Sequence, residues 1–402
     1  MFLVRRALVV LAFLGILTSS GVASSYGPGV SDTEIKLGQT MPYSGPASAF
    51  ATIAKAQAAY LKMINEKGGI NGRKVNLISL DDGYSPSKAV EQTRRLIEQD
   101  EVFAIFQSLG TASNAATQKY LNQKRIPQLF VASGTSRFND PKHFPYTTGW
   151  SPNYASEGAI YAKYILSHMP DAKIAILYQN DDLGQDYLNG FKKALGAKAA
   201  SLIVKEVPYE VSEPTIDSQI VILKNSGANV FFNVATPKAA AQAIRKVGSV
   251  GWNPTQFLVN FSASVGAVLT PAGLENAKGI ISSAYQKDPS DPQWKDDPAV
   301  REWNAWMDKY NPSANKNDIL NVYGYNSAQT IVKVLELCRN DLSRENLMKQ
   351  ASHLDFELPM LLPGVKITTS PTDLRPMKQM WLQKFDGTRW VLFGDVIDSS
   401  NH

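Results

Sequence analysis

Of the 402 residues, one is cysteine and four are histidine. The lone cysteine, Cys338, excludes an internal disulfide in any redox compartment. It lies in "TIVKVLELCRN", where the apolar spacing is helical, and reads as a buried structural thiol. His143, His168, His353 and His402 are scattered without metal-ligand spacing, so no metal is expected. A strong excess of one charge is also missing. The net charge is +5, and no basic run is interleaved with aromatics, which argues against a nucleic-acid partner. There is no G-x-S-x-G elbow, no Walker loop and no G-x-G-x-x-G after a strand. With no nucleophile, base and oxyanion site in prospect, neither an enzyme nor a bound cofactor is expected.

The start of the chain carries a different signal. Arg5 and Arg6 precede "ALVVLAFLGIL", too short to span a bilayer, and then come the small residues "TSSGVASS". This layout predicts a secretory signal peptide over residues 1–24, cleaved near Ala23 or Ser24. No cysteine is there to take a lipid anchor, and no second apolar stretch of membrane length follows. An exported chain that does not span the membrane is expected.

What is present is alternation. The length exceeds what one core usually supports, so two domains are expected. "EIKLGQT" reads as a strand, followed by a helix with Ile53, Ala56, Tyr60, Met63 and Ile64 on one face. "VNLISLDD", "VFAIFQS" and "IPQLFVAS" are further strands with helices between them. The rhythm restarts after "YTTGWSPNY", with strands "KIAILYQ", "SLIVKEVPY", "NVFFNVA" and "TQFLVN" alternating with helices. This is α/β patterning, with parallel sheets covered on both sides. The end differs: "MKQMWLQKFDGTRWVLFGDVI" is two alternating runs around Asp386-Gly387, a hairpin signal and a candidate antiparallel edge.

Strand after strand ends in small polar residues. Ligands of open α/β sheets bind outside the carboxyl ends of the strands. In the first series those ends are "TMPYSGPAS", "FQSLGTAS" and "VASGTS", which brings Ser44, Leu109, Gly110, Thr111, Ser133, Gly134 and Ser136 to one mouth. Hydroxyls and free N–H groups there would hold a carboxylate without a cation. One such segment reads equally well as a helix cap; three converging on one mouth favour a ligand site. The pair Asp81-Asp82 in "LDDGY" reads as turn and cap chemistry rather than a catalytic pair.

The segments "IKLGQTMPYSGPAS", "INEKGGINGRKVNLISLDDGYSPSKAVEQTRRLIEQDEVFAIFQSLGT", "YAKYILSH" and "LYQNDDLGQDYLNGFK" resemble the periplasmic solute-binding proteins of the branched-chain amino acid (Leu/Ile/Val-binding) ABC transporter family. The likeness runs over nearly the whole mature chain. It implies a type I periplasmic binding fold: two doubly wound Rossmann-like lobes on a three-segment hinge, with ligand in the cleft between them. Residues 31–150 and 282–350 would form lobe 1, and 151–281 and 360–398 lobe 2, with crossings near "GWSPN", near "SSAYQ" and after Met360. It also implies a periplasmic monomer that hands a small molecule to an inner-membrane ABC permease.

In amino-acid-binding members the first lobe holds the α-carboxylate with hydroxyls and backbone N–H groups, which correspond here to Leu109–Thr111 and Gly134–Ser136. The family's acid for the ammonium aligns near Phe261, beside Asn260 and Ser262, and no acid is there. Leu183 replaces an aromatic, and Asn233 and Thr236 are neutral, which leaves Asp181 and Asp182 as the nearest acids. A desolvated ammonium needs a partner. A carboxylate ligand without an amino group is therefore expected, with Phe261, Trp150, Tyr154 and Phe50 around its apolar body. A branched-chain amino acid is the alternative ligand, and a ligand-presenting sensor is the alternative class.

Overall fold

The computed structural model describes residues 26–399. The expected signal peptide lies outside them. The chain opens with β1 (Glu34–Met41), α1 (Ala51–Glu66), β2 (Lys74–Asp81), α2 (Pro86–Glu98), β3 (Ala104–Phe106), α3 (Thr111–Gln123), β4 (Gln128–Val131) and β5 (Thr147–Gly149). These strands form one parallel sheet in the order β2-β1-β3-β4-β5. The short strand β3, "AIF", is buried along its length, as a strand covered by helices on both faces must be. Gln107, just past β3, and Phe130, within β4, adopt positive φ. They re-aim the chain where the sheet's carboxyl edge gives way to loops.

After Gly149 the chain crosses to a second sheet. α4 (Tyr154–His168) starts at Asn153, whose side chain accepts from Ser156 N. Then follow β6 (Ile174–Gln179), α5 (Asp182–Leu195), β7 (Ile203–Tyr209), α6 (Asp217–Asn225), β8 (Val230–Val234), α7 (Pro237–Ser249), β9 (Thr255–Leu258) and β10 (Ile281–Ala284). The chain then returns to the first sheet as α8 (Pro298–Tyr310), α9 (Leu320–Cys338) and α10 (Arg344–Ala351). Gly324 lets α9 lie against α1: a Cβ there would stand 2.5 Å from the Ile53 carbonyl. Arg344 donates to the carbonyls of Val102 and Phe103 at the entry to β3.

A small antiparallel pair, β11 (Asp355–Phe356) and β12 (Ile367–Thr368), leads back to β13 (Gln379–Phe385) and β14 (Trp390–Asp398). These last strands form a hairpin and extend the second sheet as an antiparallel edge, in the order β14-β13-β10-β9-β8-β6-β7. Asp386 closes the turn by accepting from the N–H groups of Thr388 and Arg389, and Gly387 takes the positive φ. The segments that cross between the lobes run side by side, with Leu362 N donating to Tyr285 O and Lys287 N to Met360 O. The result is two α/β lobes, each built on its own sheet. Cys338 is buried in α9, and that burial raises its thiol pKa to about 12.

Candidate functional site

The lobes meet around a cleft that retains about 70 Å³ of space for the centres of water molecules. Of the residues nominated from sequence, Phe50, Leu109, Gly110, Thr111, Tyr154, Leu183, Thr236, Asn260 and Phe261 line it. Thr111 begins α3, which has no side-chain cap. The N–H groups of Thr111, Ala112 and Ser113 have no acceptor among the described residues. Gly110 is held at φ +106, with the Tyr84 ring 2.9 Å from where a Cβ would lie. An uncapped helix start on a cleft presents unpaired N–H groups and the positive end of the helix dipole.

Phe50, at the start of α1, and Phe261, in the turn after β9, face each other from opposite lobes with ring centroids 6.3 Å apart. Phe261 also packs on Tyr154 at 5.6 Å, and Tyr154 stacks on Tyr187 at 4.7 Å. An aromatic wall therefore stands beside the α3 end.

The remaining nominees lie elsewhere. Ser44 is exposed, and its hydroxyl and N–H donate to Asp81 at 2.6 and 3.1 Å. Its neighbours Gly45 and Pro46 border a separate groove with Asp181. Ser133 is buried behind Thr111, with their hydroxyls 2.8 Å apart. Gly134 is a packing glycine: a Cβ would stand 2.1 Å from the Pro152 carbonyl. Ser136 donates from N and Oγ to Asp186 of the other lobe at 3.0 and 3.2 Å. Trp150 is fully buried against Phe130 and Tyr323. Asn233 is buried in β8 with neither side-chain polar atom paired. Asp181 caps α5 by accepting from Leu183 N and Gly184 N, and Asp182 pairs with Arg137 of lobe 1.

The acid that lines the cleft is instead Asp288, in the segment after β10. Burial raises its pKa, and nearby Asp291 adds to the rise. Sequence reasoning missed it, together with Tyr84, Ser151, Ser283–Gln286, Ile319, Tyr323, Gln383 and Trp390. Many of these sit in or beside the crossings, so the carboxyl end of "SSAYQ" was the available signal. Among the described residues no lysine or arginine lines the cleft.

A second overlooked acid supports the site from behind. Glu157, in the first turn of α4, is fully buried and does not line the cleft. It accepts from Tyr161 Oη and Tyr187 Oη, both at 2.5 Å, and from Ser283 Oγ at 3.0 Å. Asn260 donates to it from N at 2.8 Å and Nδ2 at 2.6 Å. Burial pushes its pKa up, against the pull of these donors. One carboxylate thus holds α4, α5, β10 and the turn that carries Phe261.

Among the described residues no cluster of His, Cys, Asp or Glu is arranged to hold a metal, and no helix is long and apolar enough to cross a membrane. The profile of the family described as "Periplasmic binding protein" matches residues 34–389. "Leu/Ile/Val-binding protein homolog 1" of Brucella abortus is 25% identical over 306 residues, 75% of this chain and 77% of that one. A branched-chain amino acid ABC transporter from Thermus thermophilus with bound valine superimposes with a TM-score of 0.81 at 17% identity, over 92% of this chain and 98% of that one. A solute-binding protein of an ABC transporter from Rhodopseudomonas palustris BisB5, in complex with 3,4-dihydroxybenzoic acid, gives 0.77 at 18% identity over the same shares.

Proposed function

Since this chain belongs to the periplasmic binding protein family, a solute-binding family of ABC transporters, we propose that it is the periplasmic, monomeric subunit of an ABC importer that binds a small carboxylate between its lobes and delivers it to the permease. The ligand we propose is an aromatic or other organic acid without an amino group. The observation that carries the carboxylate is the uncapped N-terminus of α3, whose unpaired N–H groups begin at the cleft residue Thr111, in a lining without lysine or arginine. The neutral lobe 2 wall, Leu183, Thr236, Asn260 and Phe261, and the rings of Phe50, Tyr154 and Phe261 support an apolar, amine-free body. Binding of 3,4-dihydroxybenzoic acid by a protein of the same fold agrees with this reading. A branched-chain amino acid is the second reading, favoured by Asp288 as a carboxylate in the cleft.

A thermal-shift panel separates the two, because a ligand that binds only the folded protein raises its melting temperature. Benzoates and other amine-free acids are expected to raise it, and leucine, isoleucine and valine to leave it unchanged. Stabilisation by the amino acids alone would contradict the amine-free reading.

A further inference from the structure

Among the described residues Asp288 has no partner for one of its carboxyl oxygens. Its Oδ1 accepts from Ser290 N at 2.9 Å and Ser290 Oγ at 2.7 Å. Its Oδ2 has no partner among the described residues, although the side chain lines the cleft. The neighbouring cations are taken: Lys287 pairs with Asp297 at 2.8 Å, and Arg389 with Asp291 at 2.5 Å. Gln383, on the adjacent strand β13, gives its Nε2 to the Ser283 carbonyl, and its Oε1 accepts no described bond. Tyr285 Oη likewise has no described partner. The wall built by β10, β13 and the crossing segment therefore offers two acceptor oxygens, of Asp288 and Gln383, beside a Tyr285 hydroxyl that can donate or accept, whereas the start of α3 offers donors only. Asp288 is half-buried and its free oxygen is not sealed from water, but a solute that fills the cleft displaces that water, and the oxygen then needs a donor from the solute.

We infer that Asp288 is a specificity-determining residue whose free oxygen accepts a hydrogen bond from the solute, so that the amine-free acid proposed above carries a hydroxyl donor in addition to its carboxylate. This rests on the carboxylate reading above and adds a second anchor to it. A molecule with a donor at one end and an acid at the other satisfies both walls; a plain acid leaves Asp288 unpaired.

The test is calorimetric titration of the wild-type protein, Asp288→Ala and Asp288→Asn. The probes are benzoate, 3- and 4-hydroxybenzoate, 4-hydroxybenzamide and leucine. The hydroxybenzoates are expected to bind the wild-type protein roughly tenfold more tightly than benzoate. In Asp288→Ala that preference should disappear, because the hydroxybenzoates lose their partner and benzoate, which no longer leaves a carboxyl unpaired, binds at least as tightly as to the wild-type protein. Asp288→Asn keeps an acceptor without the charge, so it retains part of a preference for hydroxyl but loses one for ammonium; it also carries the test if the alanine variant does not fold. Equal wild-type affinities for benzoate and hydroxybenzoates, with no leucine binding, overturn the role of Asp288. So does a preference that survives in Asp288→Ala. Leucine binding that falls in both variants upholds Asp288 and overturns the amine-free reading. Tight binding of the benzamide overturns the carboxylate reading; Asp288 stands if that binding weakens in Asp288→Ala and falls if it does not. If none of the probes binds, both readings fall.

Discussion

Asp82 shows how a single side chain sets a pH response. It is completely buried at the end of β2; Oδ1 accepts from Tyr84 N at 2.8 Å, and Oδ2 has no partner. Burial raises its carboxyl pKa to about 6. The folded state therefore favours the protonated acid. The contribution to stability is fully present below the unfolded pKa near 4 and is lost as pH rises through about 6. The rise corresponds to about 3 kcal/mol. Urea unfolding at pH 4.5 and 7.5 checks it: wild-type stability should fall between the two values by about 2 kcal/mol more than that of Asp82→Asn, since part of the contribution is already lost at pH 4.5. Parallel profiles for the two proteins would show that Asp82 does not titrate in this window. Neighbouring Asp81 behaves in the opposite way: its pKa is lowered by donors from Ser44, Gly83 and Tyr43 despite some desolvation. That turn chemistry is what removes Ser44 from the cleft.

At the scale of elements, the Glu157 network decides whether the cleft wall is rigid. Replacing Glu157 by Gln turns one acceptor oxygen into a donor that faces donors already in place. Leaving buried polar groups unpaired in this way should cost roughly 2–4 kcal/mol in urea unfolding. Ligand affinity should weaken as well, because the turn bearing Asn260 and Phe261 loses its anchor. An unchanged unfolding midpoint would mean that the network relaxes without penalty. The elements themselves were largely legible in the sequence: period-two and period-3.6 patterns outline the alternating strands and helices, and Asp386-Gly387 marks the terminal hairpin. The site was legible only where it follows from that alternation. Leu109–Thr111 sit where a strand hands over to a helix, so the strand-end rule finds them. Ser133, Ser136 and Ser44 have the same residue types, but their hydroxyls are claimed by Thr111, Asp186 and Asp81. Such pairings arise from tertiary contacts tens of residues away and leave no local mark. Asp288 and Glu157 were missed for the same reason: one stands in a crossing, and the other is buried under a turn a hundred residues distant.

At the scale of the whole molecule, the lobes touch on more than one side of the cleft. Ser136 and Arg137 of lobe 1 meet Asp186 and Asp182 of lobe 2, while Ser264 Oγ of lobe 2 donates to Asp318 at 2.9 Å and Gly266 N to Asn317 O at 3.1 Å. Because these contacts join the lobes on both sides of the cleft, the proposed function implies that the solute enters when the lobes separate. Contacts to both walls then draw the lobes together, since a ligand shifts a two-state equilibrium by its differential affinity for the states. The central claim is that the solute's carboxylate is held by the start of α3. A crystal structure of the mature protein with 4-hydroxybenzoate tests it most directly. The account predicts the carboxylate within about 3 Å of the N–H groups at Thr111–Ser113, with the ring beside Phe50 and Phe261. A carboxylate bound at another wall, or an acid bound outside the cleft, would contradict it.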